Sequence, residues 1–177
     1  MSDLFRQSSA VISECGRYRY RLERDLGGRS TIAVIMVNPS TADASEDDAT
    51  IRKLKGFGRR NGWGRIIVGN LFAFRATDVR QLGAVVDPIG PQNDHHLIEI
   101  LAESDQVICA WGPLGKQPRM QRNRFLNVLT MIRGAALDPY SIGAPAKCGH
   151  PKHPLMLGYD NPIIPWVPPA SEGADHG

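Results

Sequence analysis

From Ile32 to Val37 six apolar residues follow one another without a polar break, and Asn38-Pro39-Ser40 ends the run. A short continuous apolar run bounded by turn residues predicts a strand buried on both faces, here TIAVIMV over 31–37. RIIVGNLFAF (65–74) and QVICAWG (106–112) repeat the pattern, and DPYSIGAP (138–145) predicts a fourth strand feeding KCGHPKHPLML. Upstream, RYRYRLERDL alternates Tyr18, Tyr20 and Leu22 with arginines, the period of a half-solvated strand, and Gly27-Gly28 turns it into the buried run. An N-terminal strand or hairpin over 15–37 is therefore expected.

Between these runs the period changes to that of helices. Ser45 reads as an N-cap with Asp48 completing a capping box, ahead of a helix that turns Ile51, Leu54 and Phe57 inward and closes at Gly62. Thr77-Asp78 caps a short helical turn, and 88–91 is a loop. Pro91 opens a helix with Leu97, Ile98 and Leu101 as its apolar residues. Phe125, Val128, Leu129 and Ile132 fall at i, i+3, i+4 and i+7, predicting a helix over 118–133 that Gly134 ends. Strands alternating with helices define an α/β fold: three layers, with a mostly parallel central sheet of about four strands flanked by helices. Ligands of such sheets bind beyond the carboxyl ends of the strands. Those ends carry Asn38-Pro39-Ser40, Asn70, Trp111-Gly112 and the two His-Pro pairs, so polar groups converge on one edge.

Composition adds limits. The 177 residues suffice for one domain, placed at 1–165, with a Pro- and Gly-rich flexible tail over 166–177. No apolar run approaches the roughly 20 residues of a membrane span, and MSDLFRQSS lacks the order of a secretory signal. Cys15, Cys109 and Cys148 stand apart, forming neither a disulfide framework nor a zinc spacing, so a reduced, cytoplasmic setting without metal or cofactor is expected. The formal charge of +3 is a mild bias. Basic residues gather at Arg17, Arg19 and Arg21, along Arg52 to Arg60, and at Lys116, Arg119, Arg122 and Arg124. These are either solvated helix faces or a nucleic-acid footprint.

The polar residues at the sheet edge suggest chemistry. Asn38, stiffened by Pro39, either orients a water through its carboxamide or ends the strand as an Asx turn. Asn70 either reads a nucleobase edge through paired hydrogen bonds or cross-links a loop. A histidine of the His150–His153 segment can donate to a developing anion. Asp43, Glu46, Asp47 and Asp48 read as first-turn acids that suit the helix dipole.

Two resemblances follow from these strings. MVNPSTAD, DDATIRKLKGFGRRNGWGRIIVGNLFAFRATD, the GPQND helix start, CAWG and PKHPL, spanning Tyr18 to Leu157, resemble an uncharacterised bacterial and phage domain family with no assigned activity. More distantly, the chain resembles the uracil-DNA glycosylase superfamily. Val37-Asn38-Pro39-Ser40 is similar to the GINPG-like first motif of its thymine/uracil-mismatch branch, and Asn70 to Ala76 to the NVVKCRP string of its thermostable branch. Val107 to Gly112 is similar to its VIVALG strand, and His153-Pro154-Leu155, with His150-Pro151 as competitor, to its HPSPL-like loop. That resemblance implies a uracil-DNA-glycosylase-like fold and excision of a modified or deaminated base from DNA. Asn38 would position water, and His153 (or His150) would stabilise the leaving base. Asn70 would read the base, with Phe57, Phe72 or Phe74 stacking on it. Ser40, Lys116, Arg119, Arg122 and Arg124 would hold phosphates. No acid stands at the first motif, and the iron–sulfur cysteines of the thermostable branch are absent. A non-catalytic nucleic-acid binder on the same fold and an enzyme acting on a free nucleotide or nucleoside are the alternatives.

Overall fold

The computed structural model describes residues 8–170. Seven strands form one sheet: β1 (Ser9–Ile12), β2 (Arg19–Asp25), β3 (Thr31–Met36), β4 (Arg65–Asn70), β5 (Gln106–Cys109), β6 (Pro139–Ile142) and β7 (Ile163–Pro165), in the order β1-β2-β4-β3-β5-β6-β7. The central β4, β3, β5 and β6 run parallel, while β1, β2 and β7 add antiparallel edges. The sheet is thus larger than the four strands expected and only partly parallel. β1 and β7, of 4 and 3 residues, are too short to display a period. The hairpin joins β1 to β2, and β2 pairs with β4 and not with β3.

Three helices connect the parallel strands: α1 (Ala49–Asn61), α2 (Asn93–Ala102) and α3 (Arg124–Gly134). The chain passes from β3 through α1 to β4, then crosses back through α2 to β5. Because such crossovers keep one hand, reversing their direction puts the helices on opposite faces. Ile51, Leu54 and Phe57 of α1 accordingly pack on Ile32, Val34, Met36, Ile66 and Val68. Leu97 and Ile100 of α2, with Phe125, Val128, Leu129 and Ile132 of α3, pack on Ala33, Ile35, Ile67, Val107 and Cys109.

Several boundaries move for local reasons. The cap of α1 is Asp48, whose carboxylate accepts from Ile51 N–H at 2.9 Å, and not Ser45. Asp43 Oδ1 accepts the amides of Ser45 and Glu46 at 2.9 Å, closing a turn ahead of the helix. Gly62 ends α1 in the left-handed region, as expected. In α2 the inward stripe is Leu97, Ile100 and Leu101, and Ile98, one residue out of phase, is 56% exposed. Residues 119–121 form a separate tight turn ahead of α3, and beyond that helix Ala136, not Gly134, takes the left-handed turn.

β2 departs furthest from its expected alternation. Its pairing with β1 steps from Val11↔Arg21 to Ile12↔Arg19, skipping Tyr20, which marks a β-bulge. Tyr20 therefore stacks on His96 of α2 and Arg21 pairs with Glu103 beyond it. Arg19 turns to the α1 side, where it is 3% exposed.

Candidate functional site

On the α1 side, at the carboxyl ends of β3 and β4, lies a cleft of about 800 Å³. β3 and the turn after it supply Met36, Val37, Asn38 and Ser40; β4 supplies Val68 and Asn70; the start of α1 supplies Asp48, Thr50 and Ile51. Arg19, the segment 76–80, Lys116, His153 and Leu155 complete its walls.

The turn after β3 is fixed against the chain that follows β4. Leu71 and Phe72 amides donate to Met36 and Val37 carbonyls at 2.9 and 3.0 Å, and Ala76 N–H donates to Pro39 O at 3.0 Å. Asn38 Nδ2 reinforces the join by donating to Ala76 O at 2.7 Å and Pro39 O at 3.0 Å. Two carbonyl partners require the nitrogen at that position, which leaves Oδ1 as the uncommitted acceptor.

Asn70 is 1% exposed, and neither its Nδ2 nor its Oδ1 has a hydrogen-bond partner. No other buried side chain among the described residues leaves two polar atoms unmet. Its backbone carbonyl, by contrast, accepts from Asn93 Nδ2 at 3.0 Å on the opposite face.

His153 reaches the cleft from a turn packed on Gly112, where a Cβ would stand 3.3 Å from the histidine's own Cβ. Gly112 also has φ of 79°, the left-handed region that favours glycine, and a Cβ there would crowd the histidine as well. His153 Nδ1 accepts from Leu155 N–H at 3.2 Å, which puts the ring proton of the neutral form on Nε2. Burial lowers its pKa, favouring the neutral form, and the nearby Asp48 carboxylate opposes that shift.

Sequence reasoning read Asp48 only as a helix acid. It is the cap, and it also lines the cleft, with Oδ1 on Ile51 N–H and Oδ2 bonded to no described residue. Asp78, held down to about 2 by hydrogen bonds from Arg80, lies in the same wall. Arg19 too was read only as part of a basic cluster, either solvated or a nucleic-acid footprint. The signal for both lies in tertiary placement, since neither a bulge nor the position of a helix start has a period.

Other candidates fall elsewhere. His150 lies outside the cleft: Trp111 Nε1 donates to its Nδ1 at 3.4 Å, its ring meets Phe125 edge-on, and it lines a separate cavity of about 180 Å³. Phe57 and Phe72 are core residues on opposite faces of the sheet, each turned inward between its layer and the strands. Phe74 packs edge-on against Tyr18, in a neighbouring groove with Arg17 and Arg75. Ser40 and Lys116 do line the cleft. Arg119 is exposed on its turn, outside the cleft lining. Arg122 donates to Gln117 O and Gly115 O at 3.2 and 3.0 Å, and buried Arg124 donates to Leu71 O and pairs with Asp94. Those two guanidiniums serve the protein's own backbone and carboxylates.

The arrangement defines a three-layer α/β protein with a polar cleft at the carboxyl edge of its sheet. Residues 19–155 match the family described as "Protein of unknown function (DUF1643)", and the chain belongs to that family. No curated protein and no solved structure matches it. Among the described residues no helix is long and apolar enough to cross a membrane, and no group of His, Cys, Asp and Glu could hold a metal ion.

Proposed function

We propose that this protein is a glycosylase-like hydrolase that cleaves the bond between a nucleobase and its sugar, acting on a modified or deaminated base in DNA. The observation that carries the reading is the buried, doubly unpaired amide of Asn70, in one cleft with Asn38 and His153. An unmet buried polar group costs about 1–3 kcal/mol, a cost that a ligand with a complementary donor–acceptor edge removes. A base flipped into the cleft offers such an edge. Asn38 Oδ1 would hold the attacking water and Asp48 would take its proton. The water oxygen bonds to the anomeric carbon as the carbon–nitrogen bond breaks, and the departing base keeps the electron pair. His153 Nε2–H would donate to the negative charge developing on that base.

The cleft lining contains no Phe, Tyr or Trp, so stacking falls to aliphatic groups such as Met36, Ile51 and Val79. Together with the internal engagement of Arg122 and Arg124, this favours a second reading, hydrolysis of a free nucleotide. The test is release of free base from uracil-, hypoxanthine- or hydroxymethyluracil-containing DNA, and from the matching nucleotides. Turnover of DNA supports the first reading and turnover of nucleotides alone the second. No release from any of them ends both.

A further inference from the structure

Three arginines of the described chain are buried: Arg19, Arg24 and Arg124. Every nitrogen of Arg24 has a partner: Nε on Asp47 Oδ1 at 2.7 Å, Nη1 on Glu23 O at 2.8 Å, and Nη2 on Asp43 O at 2.6 Å. Arg124 pairs with Asp94. Arg19 differs. Its Nη1 donates to Ala42 O, its Nε has no partner, and no carboxylate of the described residues lies within ion-pair distance. Burial pulls its pKa down to about 10, and Asp48 and Asp43 act on it only through space.

A buried guanidinium without a carboxylate is costly, and its planar fork of donors matches the oxygens of a phosphoryl group. The β-bulge is what turns Arg19 towards the cleft, and bulges of this kind re-aim side chains beside binding sites. The same cleft holds the unpaired amide of Asn70 and carries Arg80 and Lys116 against Asp48 and Asp78. We infer that Arg19 forms an anion subsite for the phosphoryl group of the nucleotide whose base meets Asn70. The cleft is then a two-point reader, with the amide for the base edge and the guanidinium for the phosphate. This extends the nucleobase reading above and rests on it for the identity of the ligand's other end.

Calorimetric affinities of the wild-type protein test it, with deoxyuridine, deoxyinosine, their 5′-monophosphates, single-stranded oligonucleotides bearing the same bases, and inorganic phosphate as probes. The phosphorylated forms are expected to bind about 10- to 100-fold more tightly than the nucleosides, the range for one charged hydrogen-bonding group. Arg19→Gln should erase that preference, and Arg19→Lys should retain part of it. Arg19→Met serves if the glutamine variant fails to fold. A preference confined to monophosphates marks a terminal phosphate as the ligand, and one confined to oligonucleotides marks a strand phosphodiester. Equal affinity for nucleoside and phosphorylated forms overturns the subsite, as does a preference that survives loss of Arg19, or no binding of any phosphorylated probe. If Asn70→Leu leaves monophosphate affinity unchanged while inorganic phosphate competes fully, the anion subsite stands and the nucleobase reading falls.

Discussion

The two faces of the sheet solve the same problem differently at its carboxyl edge. On the α2–α3 face, Asn93 Nδ2 bonds the carbonyls of Asn70 and Leu71, Arg124 pairs with Asp94 and Trp111 donates to His150, and only single atoms such as Asn93 Oδ1 and His96 Nδ1 stay unmet. On the α1 face, equally buried Asn70 has both atoms of its amide left over, and Arg19, bonded to Ala42 O, has its Nε left over. The helices explain the difference. Both helices start at the carboxyl edge, but the first residues of α3, Arg124 and Phe125, meet Leu71 O, Trp111 and His150, whereas the first turn of α1 lines the cleft. Among the described residues a whole amide is left unmet only on the α1 face, where the cleft opens.

The contrast can be broken from either side, most strongly at His153. Replacing it with alanine should lower base release by about 10²- to 10³-fold, the usual cost of losing a donor to a developing anion. His150→Ala, on the closed face, should lower thermal stability and leave the rate of base release unchanged. If the two histidines exchange these effects, the assignment of the cleft is wrong. Next in size is Ile132→Ala on α3. Removing that buried side chain should cost about 2–5 kcal/mol by denaturant unfolding while preserving activity in the folded fraction.

Asn70→Leu should do the reverse. It removes two unpaired polar atoms, so stability should rise by about 1–3 kcal/mol while base release disappears. A loss of stability in this variant would mean that the amide has a partner in solution. The smallest effect separates the two roles of Asp48. Asp48→Ala should cost about 0.5–2 kcal/mol through the lost cap, whereas Asp48→Asn keeps the cap. Both should lose activity, and loss in Asp48→Ala alone would confine Asp48 to capping. The pH dependence of stability supplies a further check. Because burial holds the folded His153 pKa below its ordinary value of 6.5, the unfolded chain takes up a proton near that pH that the folded chain refuses. Wild-type stability should therefore fall as pH drops through that region, and the fall should be shallower in His153→Gln.

Much of this was legible before any coordinates. The continuous apolar runs located β3, β4 and β5, the 3.6-residue stripe located α3, and the residues ending the strands named Asn38, Asn70 and His153. What stayed hidden depends on packing. β1 and β7 are edge strands whose pairing, not their composition, makes them strands. Phe57, Phe72 and Phe74 suit base stacking by chemistry alone, and only the layer each belongs to removes them from the cleft. Strict alternation would put Arg19 and Arg24 on opposite faces, yet the residue skipped in β2 brings Arg19 to the α1 side, where it lines the cleft while Arg24 finds Asp47.

The grip of Asn93 on the Asn70 carbonyl bears on selectivity. On the proposed reading, the residue that would meet the base has its backbone anchored from the far layer of the protein, so only its own side-chain torsions could adjust to what enters. An amide kept in one rotamer would leave donor facing donor and acceptor facing acceptor against a base of the wrong tautomeric edge. With each mismatch worth about 1–3 kcal/mol, two of them would separate right from wrong bases by roughly 10²-fold or more before any bond is broken.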